Sequence, residues 1–153
     1  MSTDPTARFA TPRVAAGALF ATHDAVLLVR KTYGNRWDLP GGYLDIGESP
    51  AAACEREVHE ELGLKRTARR MLVCDWAPNP GEGDKILYLF DCGTLGDDED
   101  RIVLDRTELD HWQWVPIAEI DHFAIPRLAR RVREAHTAWR EGTTLYLEHG
   151  APR

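Results

Sequence analysis

The sequence predicts an α/β sandwich, in which strands are flanked by two helices within one domain. Three observations lead to that class. Short apolar runs rich in β-branched residues recur along the chain, two other stretches carry apolar residues at helical spacing, and no linker or internal repeat divides the 153 residues. A chain of this length buries a sizeable core without disulfide or metal staples. Its 43% hydrophobic and 29% charged content is that of an ordinary globular protein, not a disordered or membrane one.

The elements follow in order. "MSTDPTARFATPR" is polar, contains Pro5 and Pro12 and lacks the layout of a signal peptide, so residues 1–12 read as a flexible leader before a domain over 13–141. "RVAAGALFA" (Arg13 to Ala21) and "AVLLVRK" (Ala25 to Lys31) are apolar runs joined by a short turn with Asp24, which predicts a β-hairpin. "TYGNRWDLPGGYLDIGESP" is dense in glycine and proline, hence a loop with short extended pieces. Ser49 followed by Pro50 is a helix start, an N-cap with proline in the first turn. Ala51, Cys54, Val58 and Leu62 then form a buried stripe, and Gly63 closes the helix. "RRMLVCDW" and "KILYLFDC" read as strands across the turn-rich "APNPGEGD", and "GTLGDDEDR" as an acidic surface loop. "HWQWVPI" (His111 to Ile117) is a short strand stopped by Pro116. Ile125, Leu128, Val132, Ala135 and Trp139 mark an amphipathic helix, and the tail 142–153 adds at most one edge strand through "TTLYLEHG".

Composition excludes several function classes. The longest apolar runs fall well short of the ~18 residues a membrane span needs. Cys54, Cys74 and Cys92 are odd in number and far apart, without disulfide or zinc spacing, so free buried thiols in the cytoplasm are expected. A net charge of -6 argues against general nucleic-acid binding, and it means that a polyanionic ligand needs cations between itself and the protein.

The chemistry concentrates in "GGYLDIGESPAAACEREVHEELGL", Gly41 to Leu64. Glu57, Glu60 and Glu61 crowd three carboxylates into five positions, at i, i+3 and i+4 of the predicted helix. Like charges at that spacing cost a few tenths of a kcal/mol. From Gly42, five residues lead to Glu48 and seven more to Arg56 and Glu57, followed by apolar Val58, Glu60, Glu61, Gly63 and apolar Leu64. This resembles the Nudix box, G-x5-E-x7-R-E-U-x-E-E-x-G-U with U apolar, and every fixed position matches without a gap. The flanking "RWDLPGG" and "WVPIAEI" resemble the family too.

The resemblance implies a Nudix α/β/α sandwich with a mixed central sheet, and a pyrophosphohydrolase that cleaves a nucleoside diphosphate linked to another moiety X into NMP and phospho-X. The physical logic is independent of the name. Hard divalent cations neutralise a diphosphate, lower the pKa of bound water and favour carboxylates presented from a rigid element. The implied cofactor is Mg²⁺, with Mn²⁺ able to substitute, held by Glu57, Glu60, Glu61 and the Gly41 carbonyl. The resemblance gives Arg56 the task of orienting a box carboxylate and Glu48 that of supporting the loop or the metals. Gly41 and Gly42 let the backbone approach closely, Gly42 at the substrate.

Outside the box, the general base expected from a loop is Glu108, with Glu82, Asp84 and the run Asp97 to Asp100 as alternatives; Glu57 can also act on the water. Tyr33, Trp37 and Trp76 are candidates for stacking on a nucleobase, while Trp37 also reads as a core anchor beside "DLPGG". Trp112, Trp114 and Trp139 read as core. Arg127, Arg130, Arg131 and Arg133 read mainly as the solvated face of the last helix. ADP-ribose-like compounds and (d)NTPs both remain open as substrates, as does a homodimer. Two other function classes stand beside hydrolysis. One is a catalytically silent Nudix-fold domain that senses a ligand or binds a partner; the other is an isomerase of isoprenoid diphosphates.

Overall fold

Alternation along the second apolar run sets the architecture. Val26 and Leu28 enter one core, Leu27 and Val29 the other, and all four are fully buried. Successive side chains leave a strand on opposite faces, so a strand apolar at every position needs cover on both sides. The computed structural model describes residues 3–153. In chain order it contains β1 (Arg13–Leu19), β2 (Ala25–Lys31), β3 (Trp37–Asp38), β4 (Gly41–Tyr43), α1 (Pro50–Leu62), β5 (Met71–Trp76), β6 (Lys85–Asp91), β7 (Leu109–Pro116), α2 (Pro126–Glu141), β8 (Leu145–Glu148) and β9 (Ala151–Pro152). Two 3-10 turns, Gly96–Arg101 and Ile117–His122, flank β7.

The two helices supply the cover. α1 closes one core with Ala53, Cys54, Val58 and Leu62; α2 closes the other with Leu128, Ala129, Val132, Ala135 and Ala138. Between them lie a mixed sheet of order β4-β1-β6-β5-β8-β9 and a smaller antiparallel sheet of order β3-β2-β7. The molecule is thus the expected α/β/α sandwich. β1 pairs antiparallel with β4 and parallel with β6, which seats the "GG" of residues 41 and 42 directly against Ala16 and Gly17.

The structure corrects three local expectations. β1 and β2 do not form a ladder: their edges are taken by β4 and β6 and by β3 and β7, so only the turn and an Ala21–Val26 bridge survive from the predicted hairpin. Ile125 is not part of the buried stripe of α2; it precedes the helix and is exposed. The acidic run is not a plain loop but the 3-10 turn Gly96–Arg101, in which Asp98 accepts from Arg66 at 2.8 Å. The tail strand is present as β8, parallel to β5 with Leu147 fully buried, though not as the edge: β9 pairs antiparallel along its other side.

Of the leader, Met1 and Ser2 lie outside the described residues, and Pro5 to Arg8 form an exposed turn. Cys54 and Cys92 are buried free thiols with their sulfurs 3.8 Å apart, while Cys74 is partly buried. Among the described residues no helix is long and apolar enough to cross a membrane.

Candidate active site

Local chemistry fixes α1 at both ends. Ser49 Oγ accepts from the Ala52 N–H at 3.2 Å, and Pro50 occupies the first turn, where its missing N–H costs nothing. At the far end Gly63 takes a left-handed φ of 71° and donates its N–H to the His59 carbonyl. A helix capped so firmly holds its side chains at defined heights.

Arg56 gathers the box carboxylates. Its Nε and Nη2 donate to the two oxygens of Glu48 at 2.7 and 2.8 Å, a bidentate fork. Its Nη1 donates to Glu57 at 2.8 Å and to Glu60 at 3.2 Å, and Nη2 also reaches the Tyr43 carbonyl at 3.1 Å. Hydrogen bonds from Arg56 and from the Asp45 N–H hold the Glu48 carboxyl down to about 2. Glu48 therefore ties the loop to the helix as a permanent anion.

Glu61 is different. It is fully buried among cleft residues; the Gly41 N–H donates to its Oε1 at 3.4 Å, and its Oε2 has no partner. Burial, opposed by Lys31 and reinforced by the neighbouring Glu57 carboxylate, pushes Glu61 up to about 8. Natural proteins seldom leave a buried carboxylate oxygen unsatisfied, since desolvating it costs about 1–3 kcal/mol or more.

The two glycines are required by close approach. A Cβ on Gly41, whose φ is 155°, would lie 2.4 Å from the Ala16 carbonyl oxygen. On Gly42 it would lie 2.6 Å from Glu57 Oε1. β4 can therefore pair with β1 and lie over Glu57 only while it carries no side chain at these two positions.

These groups open onto a cleft of about 490 Å³. Gly41, Gly42, Glu57, Glu60, Glu61, Glu108 and Tyr33 line it, as does the alternative base Glu82. Arg56 and Glu48 are not among the lining residues: Arg56 bonds Glu57 and Glu60, and Glu48 in turn bonds Arg56. Trp37 and Trp76 are not among the lining residues. Trp37 packs edge-on against Phe123, with ring centroids 5.3 Å apart, and against His111; Trp76 pairs with Ile86 in the sheet. Asp84 and the run Asp97 to Asp100 also lie away from the lining.

Among the described residues no three Asp, Glu, His or Cys side chains form a ready metal cage, and Arg56 holds Glu57 and Glu60 in ion pairs. The donors nevertheless suit a hard cation: all are carboxylate oxygens, and the buried Glu61 Oε2 lacks any other partner.

Sequence reading missed several cleft residues: Lys31, Arg36, Asp38 and Arg131. Arg131 corrects the solvated-face reading of α2, being only 7% exposed and paired with Asp75 at 2.6 Å. The signal was present. Arg131 falls three residues after Leu128 and four before Ala135, inside the apolar arc. Arg130 and Arg133 do lie on the outer face, bonded to the His149 carbonyl and to Asp121.

A carboxylate-bearing helix set beneath a Gly-Gly strand, and open to a cleft between sandwich layers, defines a class of domain. The chain belongs to the NUDIX family: the NUDIX domain model matches residues 11–137. It is 36% identical over 98 residues to an ADP-ribose pyrophosphatase of Mycobacterium tuberculosis, covering 59% of this chain and 44% of that protein. An RNA pyrophosphohydrolase of Photobacterium profundum is 28% identical over 137 residues, 74% of this chain and 76% of that one. The chain thus spans less than half the length of the first relative and about three quarters of the second. Among solved structures, a UDP-X diphosphatase superposes with a TM-score of 0.70 at 21% identity, covering 94% of this chain and 70% of that chain. A MutT protein from Methanosarcina mazei superposes with a TM-score of 0.69 at 24% identity, covering 88% and 98%. Those two superpositions establish the fold. Hydrolases of this family work with a divalent metal ion.

Proposed function

We propose that the protein is a Mg²⁺-dependent pyrophosphohydrolase. It would cleave a nucleoside diphosphate linked to a moiety X, of the ADP-ribose or (d)NTP type, by water attack at phosphorus. The observation that carries this reading is Glu61: a fully buried carboxylate with an unpartnered oxygen, opening on a cleft beside Glu57. Such a group is costly as a bare anion, and a cation that replaces its proton completes it. Names of relatives agree, since the ADP-ribose pyrophosphatase and the RNA pyrophosphohydrolase both act on phosphoanhydrides.

Each residue then has a role. Glu57, Glu60 and Glu61 hold the metal, with Mn²⁺ as a substitute and the Gly41 carbonyl as a further ligand. Bound cations supply charge neutralisation and a more acidic water. Arg56, braced by Glu48, keeps Glu57 and Glu60 on the cleft side of α1. Glu108, exposed on the cleft rim, takes the proton of the attacking water; its backbone is tied to Thr32 at 2.9 Å. Gly42 gives the substrate close access, and Tyr33, 65% exposed at the mouth, offers the stacking surface that Trp37 and Trp76 do not present to the cleft. Three free cysteines favour a reducing cytoplasm.

The test is a panel of ADP-ribose, nucleotide sugars, NADH, Ap4A and (d)NTPs, read by phosphate release with Mg²⁺ or Mn²⁺. At least one should turn over, and Glu61→Gln should lower kcat at least roughly 10²-fold, the scale for removing one main electrostatic stabiliser. An unimpaired Glu61→Gln protein would refute the assignment. Nucleotide binding without any product would favour the silent ligand-binding domain.

A further inference from the structure

The cleft is also lined by cations that form no ion pair with the carboxylates of α1. Arg127 and Arg131 both line it from α2, which covers the face of the sandwich opposite α1. They are four residues apart, one above the other on the helix. Arg131 is more than nine-tenths buried, and Asp75 takes only its Nε, at 2.6 Å. Asp75 is itself fixed by the Gly150 N–H at 3.1 Å, so the guanidinium is held at a set angle. Its two terminal nitrogens make no hydrogen bond to the described residues. A guanidinium oriented through Nε and left open at its outer edge is shaped for a bidentate oxyanion.

The neighbours strengthen that field. Arg127, Lys31 and Arg36 line the same cleft, and among the described residues none has a carboxylate within ion-pair distance. Asp38, which lies in the field of Lys31, Arg131 and Arg36, has its carboxylate engaged by the Leu39 N–H at 2.7 Å. Asp38 and Glu61 oppose part of this positive charge, yet neither carboxylate hydrogen-bonds the terminal nitrogens of Arg131, whose outer edge stays open.

We propose that Arg127 and Arg131, with Lys31 and Arg36, form a second oxyanion subsite that binds a phosphate group on the X portion of the substrate, beyond the diphosphate held at α1. This rests on the pyrophosphohydrolase reading of the cleft and narrows it to substrates whose X end is itself phosphorylated. A neutral X, such as plain ribose, would leave the subsite unfilled.

The test is binding to the intact protein in excess EDTA, by calorimetry, of ADP-ribose and of ADP-ribose carrying a phosphate on its distal ribose. The phosphorylated ligand should bind at least about tenfold more tightly, the scale of one charge-assisted bidentate contact. Arg127→Gln should remove most of that preference, Arg127→Lys should restore it, and Arg131→Lys, which keeps the charge but loses the fork, should weaken it. Arg127 has no ion pair to lose, so its variants report on the subsite even if the Arg131 variant folds poorly. Equal affinities, failure of both ligands to bind, or a loss in the variants common to both ligands would each overturn the proposal. Metal and turnover play no part in the readout. A protein that hydrolyses nothing can therefore still pass, and one that fails can still be a hydrolase.

Discussion

Glu61 and Arg56 sit five residues apart on one helix and meet opposite fates: Arg56 has five hydrogen bonds, whereas Glu61 has an oxygen with none. The difference gives a pH signature. Glutamate ordinarily titrates near 4.5, and in the fold Glu61 titrates near 8, so the folded protein binds this proton more tightly than the unfolded chain. Stability of the metal-free protein is therefore expected to be greatest below the unfolded value and to fall as pH rises through the folded one. Denaturant unfolding in EDTA from about pH 6 to 9 should show that decline, and saturating Mg²⁺ should flatten it because the cation replaces the proton. A stability that rises across this window would contradict the assignment. Gly42 offers a steric check. Gly42→Ala places a Cβ at 2.6 Å from Glu57 Oε1, and kcat should drop at least roughly tenfold while the thermal midpoint moves little, since Glu57 is a side chain that can yield.

At the scale of elements, α1 and β8 make contrasting cases. The boundaries of α1 were readable to the residue, because Ser49, Pro50 and Gly63 act through their own backbones and nearest neighbours. Ser49→Ala should cost about 1 kcal/mol, measured by chemical denaturation, and should also loosen the carboxylate ledge that begins about two turns later. β8 carried almost no local signal. It earns its place by pairing with β5 and burying Leu147, so Leu147→Ala should cost about 2–5 kcal/mol. The same strand leads into the turn whose Gly150 N–H holds Asp75. Damage there should therefore weaken Arg131 without touching the box.

Over the whole molecule, two faces of one sandwich bring two charges to one cleft. α1 contributes carboxylates and α2 contributes arginines, from segments more than sixty residues apart. The link across the layers is the buried pair of Arg131 and Asp75, in which the oriented guanidinium depends on a partner in β5. Asp75→Asn leaves that buried cation uncompensated and is expected to lower stability by about 3–5 kcal/mol, read from the denaturation midpoint. Replacing both members by apolar residues should recover much of the loss, because no unpaired charge then remains.

The sequence by itself determined the class of fold, the helix with its caps and the identity of the box, from Gly42 to Leu64. Those features depend on residues a few positions apart, and periodicity and capping act at that range. Tertiary structure alone decided that β1 and β2 enter different sheets, because strand partners are chosen by whichever edges remain free after packing. It also decided that Trp37 anchors the core while Tyr33 meets the cleft, and that Arg131 pairs with Asp75. A side chain's partners are set by residues distant in the chain: the apolar arc of α2 already turns Arg131 inward, but its partner Asp75 lies fifty-six positions earlier, and no local pattern records that meeting.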